Sequence, residues 1–359
     1  ADHAVALEAL TSHLLSTAGT TRNDEIALAW RETVEAYETA YGPMDRRTIR
    51  EMAQFGQWMA LRSIDTPRAV ALLEESVRRG EQVFPEGDSS QFMAINSLIL
   101  VEYTQNANFL KAARWYDRLV EMGDRMGGEY AKGTAAMRFQ IAGFYANAGQ
   151  PDLAVERLRQ FVQAVEQAGE VLGWDASMRI ELSFDWVEAL LERDTELGRR
   201  IQLIRAAAVG EVRGGLATPP STTLHMAGQW LERHGFASDA EPILARALVL
   251  RREAVPADLA GLADTLSALG RARIALARYD EAQANLREAL AIRQAALGAR
   301  SPAAHALQFS IAECLIAQGR RQEAVVLLED WAPPTGSSQD LVEHHARVRG
   351  LLGGGDRPG

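Results

Sequence analysis

The sequence predicts an all-α solenoid, a stack of about eight helical hairpins, and three observations support this prediction. The first is a set of small residues separated by 42, 43, 42, 44, 42, 42 and 42 residues: Ala27, Ala69, Ala112, Ala154, Gly198, Ala240, Ala282 and Ala324. A fixed period of this size is typical of repeats that must stack to bury their apolar faces. The second is a helical spacing of the apolar residues between them. The third is a composition rich in alanine, leucine, glutamate and arginine, which favours helix.

The clearest hairpin runs from Ala263 to about Gly298. Its apolar residues fall in two blocks, each with the spacing of one buried helical face. The first block is Leu266, Leu269, Ile274 and Leu276, and the second is Ala282, Leu286, Ala289, Leu290 and Ile292. Asp280 and Glu281 lie where the second helix begins, and negative charge is favourable at a helix N-terminus. Ala282 is small because the two helices are expected to approach closely there.

A residue of little bulk also recurs where the chain leaves the first helix of a hairpin. Gly149, Gly235 and Gly319 occupy this place in three repeats, and Ala277 occupies it in a fourth. The chain reverses at this point, often through a left-handed backbone conformation that glycine adopts at the lowest cost. The sequence therefore predicts a tight turn at each of these residues.

The seventh hairpin and the start of the eighth carry a pattern that comprises Leu269-Gly270, Tyr279-Asp280-Glu281-Ala282, Leu286, Ala289 and Ser301-Pro302. This pattern resembles the tetratricopeptide repeat, in the 42-residue form of kinesin light chains and many bacterial signalling proteins. The match is good over 221–331, fair over 93–165 and visible mainly by register over 8–80. The resemblance implies a right-handed superhelix whose concave wall, built from the first helix of each repeat, is the binding surface.

The prediction for domain organisation is a single solenoid over 1–359. Repeats 1–5 occupy 1–210, repeats 6–8 occupy 221–335, a capping helix covers 338–352, and 353–359 is a flexible tail. A hinge is predicted at 211–220, within a segment rich in glycine and proline. The fifth repeat departs most from the pattern, because 193–198 lacks the usual turn and its register would bury Asp185.

The predicted binding stripe follows the first helices at positions i, i+4 and i+8. Its residues mix aromatic, amide and guanidinium groups, a mixture that suits a peptide or a partner helix. They are Gln54, Trp58, Arg62, Ser97, Phe139, Asn147, His225, Gln229, Arg233, Ser267, Arg271, Phe309 and Glu313. Burial in the core is the alternative for each of them, above all for Trp58 and Phe139.

Other classes of function have little support in the sequence. The formal net charge of -10, without a cluster of Lys and Arg, argues against nucleic-acid binding. No stretch is apolar enough to span a membrane. His344 and His345 lack the i, i+4 partner of a helical zinc site, so no metal, cofactor or catalytic residue is predicted. Cys314 lies in an apolar helical pattern and is expected in the core.

The sequence therefore predicts a non-enzymatic module that binds a peptide or helical segment of a protein partner. The alternative is a sensory or regulatory domain of a larger bacterial signalling protein, such as a kinase or transcription regulator, that responds to a peptide or small ligand. Homodimerisation through uncapped ends is left open. A cytoplasmic location is favoured, and a periplasmic one applies to a processed or membrane-tethered fragment, because the chain begins at Ala1 without methionine or signal peptide.

Overall fold

The computed structural model describes residues 2–17, 22–168, 190–208, 220–254, 257–299, 301–328 and 339–353. Every regular element in these ranges is an α-helix, so the predicted all-α class is confirmed. None of the described helices is both long and apolar enough to cross a membrane.

The chain forms two compact units. The N-terminal unit comprises 1–173 with 183–190, and the C-terminal unit comprises 174–182 with 191–359. The described helices of the N-terminal unit are α1 (Asp2–Thr17), α2 (Asn23–Tyr41), α3 (Arg46–Leu61), α4 (Thr66–Val83), α5 (Ser89–Thr104), α6 (Phe109–Met126), α7 (Gly128–Asn147) and α8 (Pro151–Ala168). Those of the C-terminal unit are α9 (Thr195–Ala208), α10 (Pro220–Arg233), α11 (Ala237–Glu253), α12 (Leu259–Ala275), α13 (Tyr279–Leu297), α14 (Pro302–Ala317), α15 (Arg321–Leu327) and α16 (Gln339–Gly353).

Successive helices pair into hairpins, and the recurring small residues lie where the two helices of a hairpin meet. In six repeats this residue is completely buried: Ala69, Ala112, Ala154, Ala240, Ala282 and Ala324. A leucine one turn later is equally buried in four of them: Leu73, Leu158, Leu244 and Leu286. Each hairpin also packs on the next within its unit. The small residues that recur in the sequence are therefore recurring core positions of the stacked hairpins.

The tight turns have the predicted left-handed conformation. The φ angles are 71° at Gly149, 85° at Gly235, 77° at Gly319 and 58° at Ala277. After each of these residues the next N–H donates to the carbonyl five residues earlier, as Arg278 does to Arg273 at 2.8 Å. This bond satisfies a carbonyl that the end of the first helix would otherwise leave free.

The turns of the second and third repeats are longer by one residue. In the third, the Asn108 N–H donates to the carbonyl of Glu102, six residues earlier, at 2.8 Å. In the second, Gly56 contacts Leu73 in the same way that Gly270 contacts Leu286 in the seventh. Gly56 precedes Ala69 by 13 residues, however, whereas Gly270 precedes Ala282 by 12. The first helices α3 and α5 are therefore shifted by one residue from the register set by the small residues.

Ion pairs connect the second helices of neighbouring repeats. Four pairs recur at similar sequence separation: Arg79–Glu38 at 2.5 Å, Arg157–Asp117 at 2.8 Å, Arg199–Asp239 at 2.6 Å and Arg252–Glu288 at 2.6 Å. The Arg252–Glu288 pair is exposed, and an exposed pair contributes about 0–1 kcal/mol. These ion pairs determine which residues of adjacent second helices face each other.

The segments flagged as irregular in the sequence fall partly outside the described residues. The hinge predicted at 211–220 lies outside them except for Pro220, which begins α10. Asp185 and the tail from 354 onward also lie outside them. In the fifth repeat the carboxylate of Asp194 accepts from the Leu197 N–H at 3.0 Å and caps α9. The closing helix α16 packs on α14 and buries Val348 completely.

Candidate functional site

The first helices of neighbouring repeats lie side by side. In the N-terminal unit α3 contacts α5, and in the C-terminal unit α10 contacts α12 and α12 contacts α14. Equivalent positions on these helices therefore form columns that run from one repeat to the next. The predicted stripe consists of three such columns, one helical turn apart.

The structure buries five of the predicted stripe residues, which corrects their expected exposure. These residues are Trp58, Ser97, Phe139, His225 and Phe309. Four others are half-buried: Gln229, Ser267, Arg271 and Glu313. The remaining four are exposed: Gln54, Arg62, Asn147 and Arg233.

Burial of the first column follows from its contact with neighbouring helices. His225 Nδ1 lies 3.3 Å from Thr265 Oγ1, on the next first helix. The ring of Phe139 lies 5.2 Å from that of Phe161 on α8, and the ring of Phe309 lies 5.5 Å from His345 on α16. His225, Phe139 and Phe309 therefore pack against adjacent elements, and in their repeats a ligand would meet the second and third columns instead.

In the second and third repeats the one-residue shift moves the columns to different side chains. Ser97 points into the core and makes a 2.9 Å hydrogen bond to the carbonyl of Met93. Its neighbour Asn96 is exposed, as is Leu100 one turn later. On α3 the same shift replaces Trp58 by the half-buried Gln57 and Arg62 by the exposed Leu61.

The contacting helices α3 and α5 carry exposed apolar side chains that the sequence analysis missed. Leu61 is 60% exposed, Leu100 41% and Tyr103 48%. Leu100 and Tyr103 share one face of α5 because they are three residues apart. The Tyr103 ring lies 5.2 Å from Phe144 on α7 and 5.8 Å from Phe109, so it links two neighbouring first helices. We call Leu61, Leu100 and Tyr103 the apolar patch.

The corresponding columns of the C-terminal unit are polar. Arg271 forms a bidentate ion pair with Glu232 on the preceding first helix, at 2.9 and 3.1 Å. Gln229 and Arg233 lie on α10 one turn apart, and Arg233 is exposed. Glu313 pairs with Arg347 of α16 at 2.8 Å. This face offers guanidinium and amide donors to a ligand.

The described residues give little basis for metal or thiol chemistry. Within them no three His, Cys, Asp or Glu side chains come together in a way that could hold a metal ion. Cys314 is buried, and burial raises the pKa of its thiol to about 11, so the reactive thiolate is scarce at neutral pH.

Comparison with protein families identifies two hairpins of the C-terminal unit. Residues 261–330, from the first turn of α12 to beyond the end of α15, match the tetratricopeptide repeat model. The resemblance drawn from the sequence is thereby confirmed for these two hairpins. No curated protein matches the chain.

Several solved structures are similar to the chain at low sequence identity. A kinesin light chain-like protein of Podosopora anserina with nearly identical TPR-like repeats is 18% identical, covering 72% of this chain and 96% of that one, with a TM-score of 0.30. BtubC from P. vanneervenii is 17% identical, with 86% and 94% covered and a TM-score of 0.28. The quorum sensor NprR from B. thuringiensis is 10% identical, with 96% and 98% covered and a TM-score of 0.28.

Proposed function

We propose that the protein is a non-enzymatic interaction module that binds a peptide or helical segment of a protein partner along its first helices. The single observation that supports this most strongly is the apolar patch. All three side chains are large and exposed, Leu61 on α3 and Leu100 and Tyr103 on α5, and these two first helices are in contact. Exposed apolar side chains grouped in this way mark interaction sites in soluble proteins.

The chemistry around the patch fits a peptide. Asn96, Thr104 and Asn147 lie on α5 and α7 with exposed side chains, and amide and hydroxyl groups pair well with peptide backbone. Tyr103 is held by Phe144 and Phe109, so it loses little conformational entropy when a ligand packs on it. Aromatic anchors of this kind contribute much of the affinity of protein interfaces.

The C-terminal unit adds a polar face of the same type, with Gln229 and Arg233 on α10 and Arg271 on α12. Arg233 is exposed, whereas Arg271 is partly engaged by Glu232 at 2.9 Å. We expect Gln229 and Arg233 to contribute hydrogen bonds to the ligand and Arg271 to contribute less, because its guanidinium already has a carboxylate partner.

The proposal is tested by selecting peptides of 15–20 residues that bind the whole chain from a displayed random library. Leu100→Ser should weaken the selected peptides at least about tenfold, the loss expected for an interface anchor. Leu153→Ser is the matched control, because Leu153 is also 41% exposed in the N-terminal unit but lies on a second helix. Equal affinity of the two variants, or a library that yields no binder, would overturn the proposal.

A further inference from the structure

Arg251, near the end of α11, is a buried guanidinium with too few partners. Only 7% of the side chain is exposed, and neither Nε nor Nη1 has a hydrogen-bond partner among the described residues. Among the described residues its ion-pair partner is Asp258, whose Oδ2 lies 3.5 Å from Nη1. A buried charge without good hydrogen bonds is costly, so retained guanidinium groups of this kind call for a counterion.

The guanidinium lies at the N-terminus of α12, and the local sequence makes room for it there. A Cβ on Gly261 would lie 1.6 Å from Arg251 Nη1, so only glycine allows this approach. The N-terminus of a helix carries partial positive charge. The guanidinium and the positive end of the helix therefore lie close together, next to the carboxylate of Asp258. This carboxylate also caps α12, because it accepts a hydrogen bond from the Gly261 N–H at 2.9 Å.

Asp264 is the other carboxylate whose charge acts on Arg251. It is exposed and already pairs with Arg293 on α13, so it is a weaker counterion than Asp258. His225 is buried, and desolvation together with the charge of Arg251 lowers its pKa to about 4, so it is neutral near pH 7. The charges of Arg233 and Arg271 also act on His225.

We propose that Arg251 and the first turn of α12 form a binding site for a carboxylate group of the peptide ligand, either an acidic side chain or the C-terminus. The Asp258 carboxylate shows that such a group fits beside Arg251. Since the Asp258 side chain is 61% exposed, it can turn outward and yield its place to the ligand. The planar guanidinium matches a carboxylate in bidentate geometry.

A carboxylate is favoured over a phosphate for reasons of charge. A phosphate brings nearly two negative charges and would lie near Asp258 and Asp264, whose charges act on Arg251, whereas a carboxylate brings only one. This inference rests on the proposed function for the identity of the ligand, but the site itself can be tested without any peptide.

The test uses sodium formate as the probe on the whole chain, with sodium chloride at equal ionic strength as reference. Formate should raise the thermal midpoint and slow hydrogen exchange of the first-turn amides of α12. Asp258→Ser keeps a helix-capping side chain and removes the competing carboxylate, so it should bind formate about tenfold more tightly than the wild type. Inorganic phosphate should have a weaker effect than formate.

Arg251→Gln should abolish the formate effect, and Arg252→Gln is its matched control. Arg252 is the adjacent residue, is half-exposed and pairs with Glu288. Should Arg251→Gln fail to fold, Asp258→Ser still decides the matter. No difference between formate and chloride in the wild type and in Asp258→Ser would refute the site. A stronger response to phosphate would overturn the carboxylate assignment. Peptide binding that persists without any formate effect would refute this inference alone and leave the proposed function intact.

Discussion

Gly270 and Leu286 are in contact across the seventh hairpin, so close that a Cβ on Gly270 would lie 2.7 Å from Leu286 Cγ. The same pairing recurs between Gly228 and Leu244 at 2.6 Å, and between Gly56 and Leu73 at 2.7 Å. The glycine is therefore a second packing position of the repeat, one that lets the leucine of the second helix reach the axis of the first.

Replacing Gly270 by valine should destabilise the C-terminal unit. The added side chain has to displace Leu286, and overpacking of this kind costs about 1–3 kcal/mol. The change is measured as a lower urea midpoint of unfolding. Gly350→Val is the control, because Gly350 is also helical and a Cβ there meets nothing within 4 Å. Its free energy of unfolding should stay within about 0.5 kcal/mol of that of the wild type. Comparable losses in the two variants would contradict the packing role.

The glycine–leucine contact also explains where the sequence was sufficient and where it was not. The 42-residue period places the second helices and their buried small residues correctly, because Ala69 and Ala282 occupy the same environment. It does not place α3 and α5, because one extra turn residue shifts each of them against the alanine that follows. The spacing records this only for α5, where Ala69 and Ala112 are 43 residues apart. Gly56, 13 residues before Ala69 rather than 12, is the sequence signal of that shift.

The candidate site was harder to predict for a second reason. Helical spacing tells which residues share a face, but burial depends on what the next repeat places against that face. His225 and Gln229 share a face of α10, yet Thr265 covers the first and leaves the second half-exposed. The side chains that seal a column come from about 40 residues away in the sequence, where periodicity gives no information about contact.

The turn residue Ala277 offers a stabilising substitution. Its φ of 58° lies in the left-handed region, which costs a residue with a Cβ roughly 1–2 kcal/mol. Ala277→Gly should therefore raise the thermal midpoint, with a net gain of up to about 1 kcal/mol after the greater chain entropy of unfolded glycine is subtracted. Gly319→Ala, the reverse change at the equivalent turn with φ of 77°, should lower it. If both variants shift in the same direction, the turns are not equivalent.

Glu51 makes the stability of the N-terminal unit depend on pH. Its side chain is 7% exposed, and Oε2 has no hydrogen-bond partner among the described residues. Burial, with a smaller contribution from the charge of Glu8, raises the pKa of this carboxyl from 4.5 to about 7. Between these values the folded protein holds a proton that the unfolded chain releases, so stability falls as pH rises from 4.5 to 7 and then levels off.

Glu51→Gln should remove this dependence. The variant is expected to gain on the order of 2–3 kcal/mol over the wild type between pH 4.5 and pH 8, the amount that the raised pKa represents. The measurement is urea unfolding followed by circular dichroism at several pH values. Glu35→Gln, an exposed carboxylate on α2, should leave the pH profile unchanged. A profile for Glu51→Gln parallel to that of the wild type would show that Glu51 is ionised in the folded state.

His225 should give the C-terminal unit the opposite dependence. Burial is the main cause that lowers the pKa of its imidazole from 6.5 to about 4, and the charges of Arg251, Arg271 and Arg233 act in the same direction against a smaller effect of Asp264. Above pH 6.5 the ring is neutral in both states. As pH falls from 6.5 to 4, the imidazole binds a proton in the unfolded chain but not in the folded protein, so the free energy of unfolding decreases with acidification.

His225→Gln should flatten this acidic limb, because glutamine keeps a polar group beside Thr265 and does not titrate. The expected difference from the wild type between pH 7 and pH 4 is on the order of 2–3 kcal/mol, read from urea midpoints of the C-terminal unit. His3→Gln, at an exposed position of α1, should retain the acidic limb of the wild type. If His225→Gln loses stability with acidification as the wild type does, His225 is not the cause of the loss. The folded protein then binds a proton on His225 about as readily as the unfolded chain does.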